Sequence, residues 1–382
     1  MLRAYRRGAS QTPRLRHVSA VAHIIARVTL TAIDLFAGAG GATQGLRDAG
    51  FDVRVGVEID SDAAATWSLN HPGVMLEADM RTVSGRQLMD AGGFEYGELD
   101  LLKACPPCQG FSSLRGGTHP DDARNDLVID TLRIVDELYP RAVLIENVPG
   151  LRRDHRFESL TAGLRNRGYE LEDYIIEAST LGVPQRRRRL VVIATRDGQS
   201  PPSIDVLLPP VERRPRMTAG EALERFERDF AALDVSDTWR TSSKIVAERI
   251  AAVPIGGTRF DLPERLQLDC HKNLGGSTGK SRRNATGSYG RVRRDQPAPT
   301  MTTRCTTPAC GSFIHPTRNR GLSLREAAAF QTFPVDYVWH GSYGSIERQI
   351  GNAVPVWMAE ALGKAVASLL AAEVPEFATA PE

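Results

Sequence analysis

The sequence predicts an α/β fold, a mostly parallel sheet covered by helices and joined to a smaller, less regular domain. Three observations carry that prediction. Between Leu30 and about Thr195, short apolar runs alternate with segments of helical spacing, the pattern of strand–helix–strand units. The loops richest in glycine, cysteine and charge fall at the C-terminal ends of the apolar runs, where open α/β sheets bind their ligands. After Thr195 the alternation stops, and the proline- and serine-rich stretch RDGQSPPSIDVLLPPVERRPRM reads as a linker.

In chain order, LTAIDLFAGAG is a strand running into a glycine turn, and ATQGLRDAGF continues as a helix. VRVGVEID is the next strand, and LEADM closes another candidate strand at Asp79. ELDLLKACPPC is a strand entering a loop. DLVIDTLRIVDELYP has helical spacing, with Leu127, Ile134, Val135 and Leu138 on or near one face. RAVLIENVPG is a buried strand followed by a Pro-Gly turn, and YELEDYIIEA and RLVVIAT are two further strands. Residues 197–300 are irregular. Helical spacing returns from Leu322 to Phe330, and Val354 to Leu370 reads as a final amphipathic helix. The pattern divides the chain into a basic leader (1–28), a larger domain (29–196 plus 349–372), a smaller domain (197–348) and a tail (373–382).

A chain of 382 residues holds two or three domains of about 100–200 residues. Its 41% hydrophobic and 25% charged content is ordinary for a globular protein and excludes wholesale disorder. No run of 18 apolar residues occurs, so no transmembrane helix is expected. With 48 basic and 46 acidic residues, the net charge of +2 excludes a generally polybasic binder. A nucleic-acid partner would therefore need positive charge concentrated locally. The stretch 270–294 offers such a concentration: it contains Lys272, Lys280, Arg282, Arg283, Arg291, Arg293 and Arg294 and no acid, interrupted by glycines. It reads as a loop, either a phosphate-binding one or a solvated one. The leader, rich in arginine and without an acid, lacks the apolar core of a secretory signal. The five cysteines are odd in number and irregularly spaced, which fits a reducing cytoplasm better than a disulfide framework.

Four motifs carry chemistry. In DLFAGAGG, Asp34 to Gly41, glycines let the backbone turn tightly and approach a ligand, although an ordinary strand–helix turn looks the same. Glu58 closes the following strand, where an acid can accept both hydroxyls of a ribose, so the pair points to an adenosine-containing cofactor. Asp79 is placed to read an adenine amino group or to cap a helix. ACPPCQGFSS delivers Cys108 at a strand end behind two prolines, a rigid presentation that suits a nucleophilic thiolate. Cys105 and Cys108 also form a C-x-x-C pair, which leaves a redox dithiol, half a zinc site or two buried cysteines open. No second such pair or histidine set accompanies it, so no metal is expected. In IENVPG, Glu146 follows three apolar residues. Desolvation there favours the protonated acid, which can donate to a ring nitrogen, and a turn-capping glutamate is the alternative. In PQRRRRL, strand alternation puts Arg187 and Arg189 on one face and Arg186 and Arg188 on the other. One pair faces an anion in the cleft, or the whole run is a solvated basic edge.

Together these motifs resemble the DNA cytosine-5 methyltransferase family of bacterial restriction–modification type. The resemblance runs colinearly through Asp34–Gly41, Glu58, Asp79, PPCQGFS (106–112), ENVPG (146–150), QRRRR (185–189), RGLSLREAAAFQTFP (320–334) and QIGNAVP (349–355). PPCQGFS followed by ENVPG is its most specific part. Ala329 departs from it, since the family commonly carries arginine there. The resemblance implies a class I S-adenosylmethionine-dependent methyltransferase fold, Rossmann-like, with a smaller target-recognition domain. It implies S-adenosyl-L-methionine as cofactor and S-adenosyl-L-homocysteine as product. Phe36 would pack on the adenine, Glu58 hold the ribose and Asp79 the adenine amino group. Asp34, Gly38, Gly40, Gly41, Ile59, Pro106, Asn352 and Val354 would complete that site. Cys108 would add to C6 of a swung-out cytosine, Glu146 would serve N3, and Arg187 and Arg189 would hold O2 and nearby phosphate. Gln109, Ser112, Lys280, Arg282, Arg283, Arg291, Arg293 and Arg294 would contact DNA. The implied setting is a cytoplasmic, nucleoid-associated enzyme, monomeric on double-stranded DNA and paired with a separate restriction nuclease or other defence proteins. An RNA (tRNA) cytosine-5 methyltransferase and a catalytically silent DNA-binding relative are the alternatives.

Overall fold

The computed structural model describes residues 29–107, 126–196, 200–210, 213–229, 238–268 and 287–372. The first part alternates as expected: β1 (Thr31–Leu35), α1 (Gly41–Asp48), β2 (Asp52–Glu58), α2 (Ser61–Asn70), β3 (Val74–Glu77), α3 (Gly85–Gly92), β4 (Leu101–Ala104), α4 (Leu127–Leu138), β5 (Ala142–Asn147), α5 (His155–Arg165), β6 (Glu170–Glu177) and β7 (Arg188–Thr195). Then come α6 (Ile204–Leu207), α7 (Ala219–Asp229), α8 (Lys244–Ala252), α9 (Leu324–Phe330), α10 (Tyr343–Asn352) and α11 (Val356–Ala372). Local chemistry marks the helix starts. Asp60 caps α2 and Asp154 caps α5, while Ser84 with Gln87 and Ser323 with Glu326 form capping boxes on α3 and α9.

The seven strands run in the order β3-β2-β1-β4-β5-β7-β6. β1 to β5 are parallel, and β7 lies antiparallel to both β5 and β6. Strand order reverses at β1, which has β2 on one side and β4 on the other. The C-terminal ends of β1 and β4 therefore flank the crevice where such sheets bind ligands. β5 is buried along its whole length, which explains its unbroken apolar run. One sheet face packs on Leu88, Leu132, Val135, Leu160 and Leu164 of α3, α4 and α5. The other packs on Leu46 of α1 and on Met358, Leu362 and Val366 of α11. α1 meets the C-terminal segment backbone to backbone. A Cβ at Gly41 would lie 2.6 Å from the Val354 carbonyl oxygen, and one at Gly45 would lie 2.3 Å from that of Val356.

A third core joins α7, α9 and α10 with Val292, Met301, Phe313, Phe333 and Tyr337, and a small fourth one gathers Ile250, Val253, Leu262, Leu266, Tyr289 and Ile314. The region read as irregular thus contains α7 and α8. Their apolar signal is thin: of α8 only Ile250 is buried. The boundary expected at 349 falls inside α10, whose Ile346 and Ile350 both belong to the third core. The stretch Tyr343–Ala371 is long and apolar enough to cross a membrane, yet 67% of its apolar window is buried inside the fold. Two glutamines stitch the lobes together. Gln185 accepts from Met301 N at 2.9 Å and donates to the Phe330 carbonyl and to Gln331 Oε1. Gln331 in turn donates to the Ile350 and Ala353 carbonyls. Ala329, the departure from the family pattern, lines a cavity of about 330 Å³ beside Trp357. The guanidinium groups of Arg214 and Arg225 lie 4.8 and 5.1 Å from a Trp357 ring centroid.

Candidate active site

The glycine turn after β1 is built from left-handed residues. Phe36, Gly38 and Gly40 have φ of 58°, 56° and 90°. For Gly40 this conformation is coupled to close packing, because a Cβ there would lie 2.4 Å from His71 Nε2. Tyr337 closes the turn from the smaller lobe, donating to the Ala39 carbonyl oxygen while His71 Nε2 sits 3.0 Å from its hydroxyl. At the end of β2, Glu58 accepts from Gly38 N at 2.8 Å on Oε2, and from Ile59 N and Asp60 N at 2.9 Å on Oε1. Burial raises its pKa against the opposing pull of these three N–H donors. Next to it Ile59 is 63% exposed, an uncovered aliphatic face beside an anchored carboxylate. That donor set fits an adenosine, with an acid for the diol and an apolar side chain for the ring. Asp79 caps a short 3-10 turn, accepting from Arg81 N at 3.0 Å, and Arg81 holds its carboxyl below the usual range. Asn352 is exposed at the end of α10, and Val354 is buried against Gly41.

Asp34 requires a correction. Its side chain is fully buried and turned into the core. Oδ1 accepts from Lys103 Nζ at 2.7 Å, and Oδ2 accepts from Thr43 Oγ1 at 2.7 Å, whose oxygen in turn accepts from Trp67 Nε1. A carboxylate so engaged supports the site from below and does not line it. Lys103, a lysine inside an apolar strand, is the residue that sequence reasoning missed. Burial opposes its charge, but the Asp34 carboxylate, which it contacts, raises its pKa above the ordinary value.

The second half of the candidate site forms where β4 and β5 end and the antiparallel β7 begins. Asn147 donates to the Pro106 carbonyl oxygen at 3.1 Å and accepts from Val148 N, holding the proline loop against β5. Glu146 is buried, with Oε1 2.7 Å from Arg189 Nε. Among the described residues Oε1 makes no hydrogen bond. The cation at Glu146 comes from β7, which the apolar run around Glu146 does not reveal. The antiparallel pairing of β7, Glu146 with Val191 and Asn147 with Leu190, delivers Arg189 to this point. The alternation of the four arginines holds, since Arg186 and Arg188 are exposed while Arg187 is buried. Arg187 donates to the Met301 carbonyl at 3.1 Å and ties the sheet to the smaller lobe, while Arg189 lies against Glu146.

Cys108, Gln109, Ser112, Lys280, Arg282 and Arg283 lie outside the described residues. Arg291 requires a second correction, because it is buried and structural. It donates to the carbonyls of Val253, Ile250, His315 and Arg318 and to Asn319 Oδ1. A guanidinium satisfied by carbonyls organises its own loops and has no reach to DNA. Arg293 and Arg294 are exposed, and pair with Asp295 and Glu224. Among the described residues no group of three or more His, Cys, Asp or Glu could hold a metal.

Two buried histidines make stability depend on pH. Burial lowers the pKa of His71 and of His315 from 6.5 to about 4. As pH falls, the unfolded chain takes up protons first, so their stabilising contribution is full above about 6.5 and is lost between 6.5 and 4. The thermal midpoint should fall across that window, and His71→Gln should flatten the fall. An identical slope in the variant would remove His71 from the account.

An open sheet with its switch point at β1, a glycine turn facing an anchored acid, and a buried carboxylate–guanidinium pair at the neighbouring strand ends define a class I methyltransferase fold. Residues 30–368 match the family model of C-5 cytosine-specific DNA methylases, and the chain belongs to that family. It is 32% identical over 354 residues to the Type II methylase M.HgiDII of Herpetosiphon aurantiacus, which covers 88% of this chain and 95% of the relative. It is 31% identical to the Type II methyltransferase M1.HphI of Haemophilus parahaemolyticus, covering 90% and 88%. A solved structure described as a prophage-encoded DNA modification methyltransferase (E. coli) superposes with a TM-score of 0.64 at 27% identity, covering 90% of this chain and 99% of that one. The S. pombe Dnmt2 methyltransferase shares the fold, with a TM-score of 0.58 at 19% identity over 89% of this chain and 99% of that one.

Proposed function

We propose that this protein is a sequence-specific methyltransferase that modifies C5 of a cytosine swung out of duplex DNA, using S-adenosyl-L-methionine. The observation that carries the reading is the buried Glu146–Arg189 pair at the mouth of β5, beside the strand that leads to Cys108. Glu58 would hold the ribose of the cofactor, Ile59 and Phe36 the adenine faces, and Asp79 the amino group. Gly38, Gly40 and Gly41 would give their backbone, with Pro106, Asn352 and Val354 along the rim. Bound there, the cofactor supplies an electrophilic methyl group and leaves as S-adenosyl-L-homocysteine.

Cytosine C5 is a poor nucleophile. Addition of the Cys108 thiolate to C6 breaks the ring's conjugation and gives C5 enamine character. Charge then grows towards N3 and O2. A proton carried on Glu146 goes to N3, and Arg189 stabilises O2 as a fixed cation that needs no reorganisation. Arg187 supports this arrangement from the lobe junction. After methyl transfer a base takes the C5 proton, the C6–S bond breaks to release the Cys108 thiolate, and the N3 proton returns to Glu146, which restores the ring. Extrusion of the base costs a few kcal/mol, which contacts to the flanking duplex offset. Gln109, Ser112, Lys280, Arg282, Arg283, Arg293 and Arg294 remain candidates for those contacts. The Type II methylase names of the relatives support a restriction–modification role, and a cytoplasmic setting with a separate nuclease as functional partner is part of this proposal.

The test is transfer of labelled methyl groups to duplex DNA and to tRNA, followed by sequencing of the modified base. Incorporation confined to duplex cytosine is expected, and incorporation confined to tRNA would overturn the DNA assignment. Glu146→Gln should lower kcat by about 10²–10³-fold, because the amide cannot carry the proton. Unchanged kcat would remove Glu146 from the reaction.

A further inference from the structure

Cys105 directly follows β4 at the edge of the site and forms no bond in the proposed reaction. Its Sγ is in contact with Glu146 Oε2 and lies 3.4 Å from the Glu146 carbonyl oxygen. The thiol is half-buried against Ala42, Val354 and Ala359, so its direction is set by packing. The Glu146 carboxyl group is therefore held from two sides, by the Arg189 guanidinium at Oε1 and by this thiol at Oε2. The terminal torsion of a glutamate is broad, so the plane of its carboxyl group is decided by its partners and not by the side chain itself. A proton donor on N3 must point along the ring plane, and small errors in such alignment are costly in rate.

We propose that Cys105 is a positioning residue: its S–H donates to Glu146 Oε2 and orients the carboxyl group so that Oε1 faces the target base. Cys105 keeps its proton throughout and forms no bond to substrate. The charged groups around the pair come from four strands: Arg189 on β7, Glu146 on β5, Lys103 on β4 and Asp34 on β1. Lys103 is ion-paired to Asp34 beneath, and the thiol meets Oε2 from the β4 side.

The inference rests on Glu146 as the proton donor, and the experiment separates the two. The full chain and its Cys105→Ala, Cys105→Ser and Glu146→Gln variants are compared for kcat, KM for duplex DNA and for S-adenosyl-L-methionine, and the pH dependence of kcat. Cys105→Ala should lower kcat about 3–10-fold, the range of one neutral hydrogen bond. It should shift the pH profile and leave KM for the cofactor unchanged, while Cys105→Ser, which retains a donor, should recover most of the rate. Should the alanine variant fail to fold, Cys105→Thr and Cys105→Val are similar in size and differ in the donor, and the threonine variant should be the faster. Wild-type kcat and pH profile in Cys105→Ala, or equal rates in the threonine and valine variants, would overturn the proposal. A lower unfolding midpoint with an unmoved pH profile would also overturn it, since that is a purely structural role. If Glu146→Gln is itself fully active, it is the assignment of Glu146 that fails.

Discussion

Cys108→Ser should abolish turnover, with kcat falling by about a thousandfold or more. Only a thiolate is nucleophilic enough at neutral pH to add to C6, and a serine hydroxyl in its place stays protonated. The decisive measurement is trapping on a duplex with 5-fluorocytosine at the target position. Fluorine replaces the proton that must leave C5, so the adduct cannot resolve. The unmodified protein should give a complex that survives denaturation, and Cys108→Ser should give none. Adducts from both would move the nucleophile elsewhere, with Cys105 the first alternative. The neighbouring geometry favours Cys108: the Cys105 thiol is turned to Glu146, and Asn147 anchors the Pro106 carbonyl two residues before Cys108 in the sequence.

Asp34→Ala should cost about 3–5 kcal/mol of unfolding free energy, the usual penalty for removing one partner of a buried ion pair. Asp34 is fully buried, and both its oxygens are used, one by Lys103 and one by Thr43. Its removal leaves an ammonium group without a counter-ion under the sheet's switch point and a threonine hydroxyl without its acceptor. Denaturant unfolding at pH 7 measures the loss. The double variant Asp34→Leu/Lys103→Leu should regain much of it, because an apolar pair of similar volume removes both desolvated charges at once. A loss below about 1 kcal/mol in the single variant would show that the pair contributes little. The same protein distinguishes support from binding. A cofactor ligand at Asp34 predicts a raised KM for S-adenosyl-L-methionine in Asp34→Asn with stability intact, whereas the buried network predicts the reverse.

Much of the site was legible because its signals are local. Glycines in DLFAGAGG mark a turn whose φ values only glycine adopts freely, and that turn is present, although Phe36 adopts one of the left-handed conformations as well. The alternation of Arg186 to Arg189 follows from the two-residue period of a strand, and the buried and exposed arginines alternate accordingly. Glu146 at the end of an apolar run is buried for the reason the run suggests: β5 lies inside the sheet with β4 and β7 on either side. The misread residues are those whose partners are distant in sequence. Nothing near Arg291 indicates that carbonyls from 250, 253, 315 and 318 converge on its guanidinium. Nothing near Asp34 indicates that Lys103, 69 residues away, holds its carboxylate.

The chain alone determined the alternation of strands and helices, the loops at the strand ends, and which residue types stand there, because backbone periodicity and turn chemistry act within a few residues. Tertiary packing decided which of those side chains face the crevice and which are spent holding it up. That choice turns on desolvation: a charged group enters the interior only where a partner from another strand or lobe satisfies it, and such partners exist only once the sheet has assembled.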